Sequence, residues 1–176
     1  SKHEYISRWH ADTLLAVCRT DEDGFYTAAY YEQGGFRPTD EAGEWSRGQA
    51  WAMLGLSRAA AQWGEPYLGY ARSACEYWRA SRPEPMPPNR LSRPSGLCDP
   101  SSSVIASIAM LAFADLITDG EQWRTYARQQ ITAIIRSQYF TGFQGNSDRV
   151  AKGIFWGCCY KTNPGKDELV ESAWGS

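Results

Sequence analysis

Residues 45–53 read Trp-Ser-Arg-Gly-Gln-Ala-Trp-Ala-Met, and two of them form a pair with chemical use. Arg47 and Trp51 stand four positions apart, so on a helix they project from one face, one turn from each other. A guanidinium grips a carboxylate through paired, charge-assisted hydrogen bonds. An indole covers the apolar face of a sugar ring. Together they suit an acidic sugar. The plainer alternative is an arginine satisfied by a neighbouring acid beside a tryptophan of the core.

Other residues offer less. Asp99 precedes the serines at 101–103 and suits the cap of a following helix. His10 falls on a predicted helix as a hydrogen-bonded structural histidine. Cys158 and Cys159 lack the spaced partners of a zinc site, and a buried thiol pair is expected. Asp40, Glu41, Glu44, Asp167 and Glu168 read as solvated loop charges. Arg90 and Arg93, in a Pro-rich loop, would extend an anionic-sugar site or simply face solvent. No Gly-rich phosphate cradle and no nucleophile motif occurs. Neither a metal nor a cofactor is expected.

Composition narrows the class of partner. With 176 residues, 43% hydrophobic and 22% charged, the chain suits one domain with a real core. No apolar run approaches the roughly 20 residues that span a bilayer. A net charge of −2 gives no electrostatic reason to expect nucleic acid or an acidic membrane. Five cysteines, an odd number without framework spacing, argue against a disulfide scaffold. Eight Trp and ten Tyr tilt the expectation slightly toward sugars. The chain opens inside an amphipathic segment, and Ala173-Trp174-Gly175-Ser176 stands where a new segment begins. It reads as a piece of a longer protein.

These residues need elements to position them. Residues 2–18 are a predicted helix with Ile6, Trp9, Thr13 and Val17 as its buried stripe. Residues 25–31 suit a short strand or hairpin arm, stopped at Gly34-Gly35. A helix follows over 45–62, whose Gly48, Ala52, Gly55 and Ala59 form a small-residue stripe for close approach of a neighbour. Gly64 and Pro66 break and restart the chain. The next helix, 66–81, is amphipathic through Leu68, Ala71, Cys75 and Trp78. The loop 83–99 is long enough to be functional or disordered. A helix over 101–118, apolar nearly all round, should be enclosed. Another, 121–138, turns Trp123, Ala127, Ile131, Ile134 and Ile135 inward. Residues 139–168 read as loop, with a helix beginning near Leu169.

Two helix pairs, each closed by a short turn and left by a long loop, imply stacked αα-hairpins. These close into a toroid or stay open as a solenoid; irregular loops favour the toroid. The expected class is therefore all-α with one short β-hairpin or strand.

The stretch Trp45-Ser46-Arg47-Gly48-Gln49-Ala50-Trp51 resembles the Trp-Ala/Ser-Arg-Gly-Gln-Ala-Trp signature of the unsaturated glucuronyl hydrolases, glycoside hydrolase family 88. Asp99-Pro100-Ser101-Ser102-Ser103-Val104-Ile105-Ala106 is similar to that family's Asp-Ser-Ser-Ala-Ala-Ala-Ile-Ala. Glu171-Ser172-Ala173-Trp174-Gly175 is similar to its terminal Glu-Ser-Leu-Ile-Trp-Gly. His10, Arg19 and Asp23-Gly24 share its rhythm. The resemblance covers nearly the whole chain but only the C-terminal half of the family's sequence.

The resemblance implies about half of a six-hairpin α/α toroid, with residues 1–176 as the C-terminal portion of one catalytic domain. It also implies hydration of the C4–C5 double bond of unsaturated uronic acids, after which the glycosidic link falls apart. An aspartate performs the acid–base work and belongs to the half that the resemblance does not cover, so no catalytic residue is assigned here. Arg47 and Trp51 match the substrate-contacting Arg and Trp. An oligosaccharide is the implied partner, and the missing half or another chain must close the ring. Two departures stand out: Phe25-Tyr26-Thr27-Ala28 where the family carries a His, and Arg37-Pro38 where it carries Gln-Gly. An unsaturated rhamnogalacturonyl hydrolase (family 105-like) is the nearest alternative, although Gln49 stands where that group has Asn. A carbohydrate-binding relative without catalysis and a helical-repeat scaffold are the others. Half a ring should also expose apolar surface on its inner helices, above all on 101–118.

Overall fold

Five helices position the site among the described residues: α1 (Lys2–Cys18), α2 (Ser46–Trp63), α3 (Tyr67–Ala80), α4 (Pro100–Ala114) and α5 (Glu121–Ile135). The structure is a computed structural model that describes residues 2–21, 23–26, 29–38, 45–81, 85–91, 97–140, 156–163 and 166–171, with side chains through 140. α2 packs along α4, α3 packs on α2, and α5 packs on α4. The contacts of α3 with α4 and of α1 with α2 are slight. Two inner helices thus lie side by side, each backed by the outer helix that follows it, as stacked αα-hairpins require.

The core between them is dense and mixed. Met53, Trp78, Met110, Phe113 and Trp123 are fully buried, with the Phe113 and Trp123 rings edge to face at 5.6 Å. A polar chain runs through it: Trp78 Nε1 donates to Gln130 Oε1 (3.0 Å), and Gln130 Nε2 donates to Ser107 Oγ (3.1 Å). It joins α3, α5 and α4 by directional bonds inside hydrocarbon, where such bonds are strongest. Gln130 lies in the buried stripe of α5 with Trp123, Ala127 and Ile134. Ile135, expected to face inward, is exposed, because it stands one position, about 100°, off that stripe.

Several expectations need correction. The face of α1 with Ile6 and Trp9 is open to solvent, Trp9 being 65% exposed. Ala11, Leu15 and Cys18, on another face, meet the core instead. Gly55 has no close neighbour among the described residues, since a Cβ there would meet nothing within 4 Å. α4 stops at Ala114 and is not fully enclosed: Ile108 and Leu111 are 45% and 40% exposed on one stripe. The hairpin lies slightly later than expected. β1 (Ala29–Glu32) pairs antiparallel with β2 (Gly35–Pro38), Glu32 opposite Gly35. Gln33 (φ 50°) and Gly34 (φ 82°) make the two-residue turn, whose double positive φ matches strand twist; the glycines reverse the strand and do not end it.

No helix begins near Leu169. β3 (Trp156–Asn163) pairs antiparallel with β4 (Lys166–Glu171), Cys159 opposite Leu169. Asp167 and Glu168, expected in a loop, therefore lie on a strand. Asp40, Glu41, Glu44, Arg93 and the Ser172–Ser176 end fall outside the described residues.

Gly120 is held by packing. A Cβ there would run into the Ala114 carbonyl, where the chain turns from α4 into α5. Gly120→Ala should cost about 1–3 kcal/mol. Gly69→Ala, on the exposed side of α3 in ordinary contact only, should instead gain up to about 1 kcal/mol. Thermal unfolding of the two variants reads the opposite signs.

Candidate functional site

The helix starts of α2 and α4 meet at one end of the half-ring, and the chain between α3 and α4 is stitched to them. Ser46 N donates to Asn89 O (2.9 Å), Asn89 N to Leu97 O (2.6 Å) and Asp99 N to Pro87 O (3.1 Å). Pro87, Pro88 and Asn89 are buried. The described part of this loop is therefore a fixed wall.

Arg47 and Asp99 join the two helices there. Arg47 Nη2 lies 3.0 Å from Asp99 Oδ2, Arg47 is 3% exposed and Asp99 fully buried. The guanidinium also sits over the Trp45 ring at 5.3 Å. The second oxygen, Asp99 Oδ1, accepts from Ser101 N (3.1 Å) and Ser101 Oγ (2.6 Å). Asp99 is thus the N-cap expected of it and also the counter-ion of Arg47. Burial pushes its carboxyl above the usual range, against the pull of Arg47 and of the Ser101 hydrogen bonds. The two stretches that carry the family resemblance are in this way bonded to each other.

Trp51 is placed differently. It is 50% exposed and lines a crevice of about 550 Å³ between α1 and α2. Trp45, Phe25 and Tyr26 share the wall near the helix starts, and His10 and Trp63 also line it. Arg47 is not on this wall. Of the two alternatives open in the sequence, the arginine is satisfied by a neighbouring acid, whereas the tryptophan lies outside the core. His10 is exposed at the crevice, so it is no packed structural histidine. Arg37, at the end of β2, is exposed, 3.8 Å from Glu32. Arg90 is half-buried and its backbone bridges Trp45.

Sequence reasoning missed Gln49 as a structural tie. It is fully buried, accepting from Phe25 N (3.0 Å) and donating to Ala74 O (3.5 Å). A polar residue amid Ala50 and Met53 on the buried face was the available signal. Burial pushes the Cys75 thiol up to about 12, so it stays protonated and is no nucleophile. Among the described residues, no three His, Cys, Asp or Glu side chains gather to hold a metal ion, and no helix is long and apolar enough to cross a membrane.

No protein-family model and no curated protein sequence matches the chain. Solved structures share its fold. An unsaturated glucuronyl hydrolase from Bacillus sp. GL1, responsible for the degradation of glycosaminoglycan, matches with a TM-score of 0.76 at 21% identity, over 94% of this chain and 47% of its own. One from Streptococcus agalactiae matches at 0.79 and 16% identity, over 99% and 50%. One specific for heparin matches at 0.68 and 17% identity, over 83% and 43%. The chain spans about half the length of these proteins, and its fold is about half of the α/α toroid of the unsaturated glucuronyl hydrolases.

Proposed function

We propose that this chain is part of a glycoside hydrolase that hydrates the C4–C5 double bond of unsaturated uronic acids at oligosaccharide ends. The observation that carries the reading is the half-exposed Trp51 indole at the helix-start end of a half-toroid. An apolar ring face left open beside other aromatics suits a pyranose. Fold-level likeness adds support by analogy. One solved neighbour is a UGL structure with dGlcA-Glc-Rha-Glc, and a Streptococcus agalactiae neighbour is complexed with dGlcA-GalNAc6S.

In this reading Trp51 covers the sugar ring. Arg47, fastened to Asp99, fixes the turn that carries Trp51. The acid–base aspartate comes from sequence outside these 176 residues. It protonates the double bond and activates the water that adds across it. A binding relative without catalysis is the second reading, favoured by Phe25 and Tyr26 on the crevice wall, in the segment where the family carries a His.

The test uses the protein at the length its gene encodes and follows loss of absorbance of unsaturated uronate disaccharides. Wild type should consume them. Trp51→Ala should raise KM about tenfold, the equivalent of about 1.4 kcal/mol, and leave the melting temperature unchanged. Saccharide binding without turnover would favour the second reading. Neither turnover nor binding by wild type, or an unaltered KM in Trp51→Ala, would sink the sugar-processing reading.

A further inference from the structure

The β1–β2 hairpin carries aromatic side chains that neither the core nor the crevice uses. In its register Ala29 lies opposite Pro38 and Tyr31 opposite Phe36, and alternation along each strand puts these four side chains on one face. That face carries no charge; Glu32 and Arg37 stand on the other, with Tyr30. At its centre the Tyr31 and Phe36 rings meet edge to face at 5.4 Å. A cross-strand pair of this kind steadies a hairpin, yet here it hides little: Tyr31 stays 67% exposed and Phe36 50%.

The place of the hairpin ties it to the candidate site. β1 begins three residues after Tyr26, and Trp45 follows β2 by seven; both residues line the crevice. β2 also touches α1, which forms the other wall. Five residues of fully extended chain reach about 18 Å, so the backbone at Tyr31 lies no farther than that from Tyr26. A short oligosaccharide spans such a gap. Size decides what fits. Aromatic side chains bury about 150–250 Å² each, so the pair offers about 300–500 Å², well below the roughly 800 Å² that each partner contributes to a stable protein interface. One sugar ring is the matching size: its apolar face lies against an aromatic face while its hydroxyls stay in water.

We propose that Tyr31 and Phe36 form an outer saccharide subsite, which holds a neutral pyranose of an oligosaccharide whose unsaturated end lies on Trp51. The proposal rests on the sugar reading above and deepens it, because it makes the preferred substrate a chain longer than a disaccharide. Trp51 holds the end that reacts, and the hairpin adds affinity only for chains that reach it.

An unsaturated uronate disaccharide and the tetrasaccharide of the same repeat test it on the protein at the length its gene encodes. Affinity is read as KM from loss of absorbance, or as Kd by calorimetry where the saccharides bind without turnover. Wild type should favour the tetrasaccharide about tenfold, the worth of one stacked aromatic ring. Tyr31→Thr keeps strand propensity and removes the ring; it should erase that advantage and leave the disaccharide value unchanged. Should Tyr31→Thr fail to fold, Tyr31→Leu keeps bulk without the flat face and reads the same loss. Tyr31→Phe keeps the ring and should keep the advantage; losing it there too assigns the contact to the hydroxyl and overturns the stacking. Equal wild-type affinity for the two lengths, an advantage that survives removal of the ring, or a loss equal for both lengths overturns the outer subsite and leaves the sugar reading standing. A wild type that neither turns over nor binds either saccharide sinks both.

Discussion

Arg47→Ala should lower stability by about 3–5 kcal/mol, because truncating one member of a buried ion pair leaves the other charge without its partner. For a chain of 176 residues that is a melting temperature lower by about 6–20 °C. The pair is buried on both sides, Arg47 at 3% and Asp99 at 0% exposure, so solvent cannot replace what is removed. The loss also depends on pH with a defined sign. Burial holds Asp99 above its ordinary 3.8 in the folded state, while the unfolded chain keeps the ordinary value. Between the two the folded state binds more protons, so stability rises as pH falls through that window. Removing Arg47 removes the largest opposing pull and sends Asp99 higher. The difference between wild type and Arg47→Ala should therefore narrow at mildly acidic pH.

A double-mutant cycle separates the pair from the cap. Asp99→Asn keeps an N-cap acceptor for Ser101 but drops the charge. Arg47→Met combined with Asp99→Asn should recover at least about 1 kcal/mol relative to the summed single variants. If Arg47→Ala melts with wild type, the ion pair does not hold the two helix starts together.

Trp78→Ala is expected to be at least as damaging. The side chain is fully buried, and truncation of such an indole costs about 3–5 kcal/mol. Its Nε1 hydrogen bond to Gln130 (3.0 Å) goes with it. Trp78→Phe keeps most of the packing and removes the donor, so it isolates a penalty of about 1–3 kcal/mol. Denaturant midpoints of both variants measure the split. A Phe variant as stable as wild type would mean that the polar chain from Trp78 through Gln130 to Ser107 contributes nothing net.

Much of this was legible in the sequence, and the failures have physical causes. Asp99 ahead of three serines announced a cap, and the four-residue spacing of Arg47 and Trp51 placed both in the first turns of α2. Spacing could not say that one would turn into the helix–helix seam and the other outward, since Asp99, the acid that pairs with Arg47, lies 52 positions on. On α1 the period identified an apolar face but not what covers it. Ile6 and Trp9 are apolar and exposed, while Ala11, Leu15 and Cys18 meet the core. Near Leu169 the apolar run is too short for periodicity to separate helix from strand, and pairing with β3 settled it. Gln49 and Gln130 were passed over because burial of a polar side chain depends on partners elsewhere in the chain.

Asp99 gives two elements one anchor. Because its two oxygens are divided between Arg47 on α2 and Ser101 on α4, fraying at either helix start tugs on the same carboxylate. The first turns of both helices are thereby yoked to a single side chain.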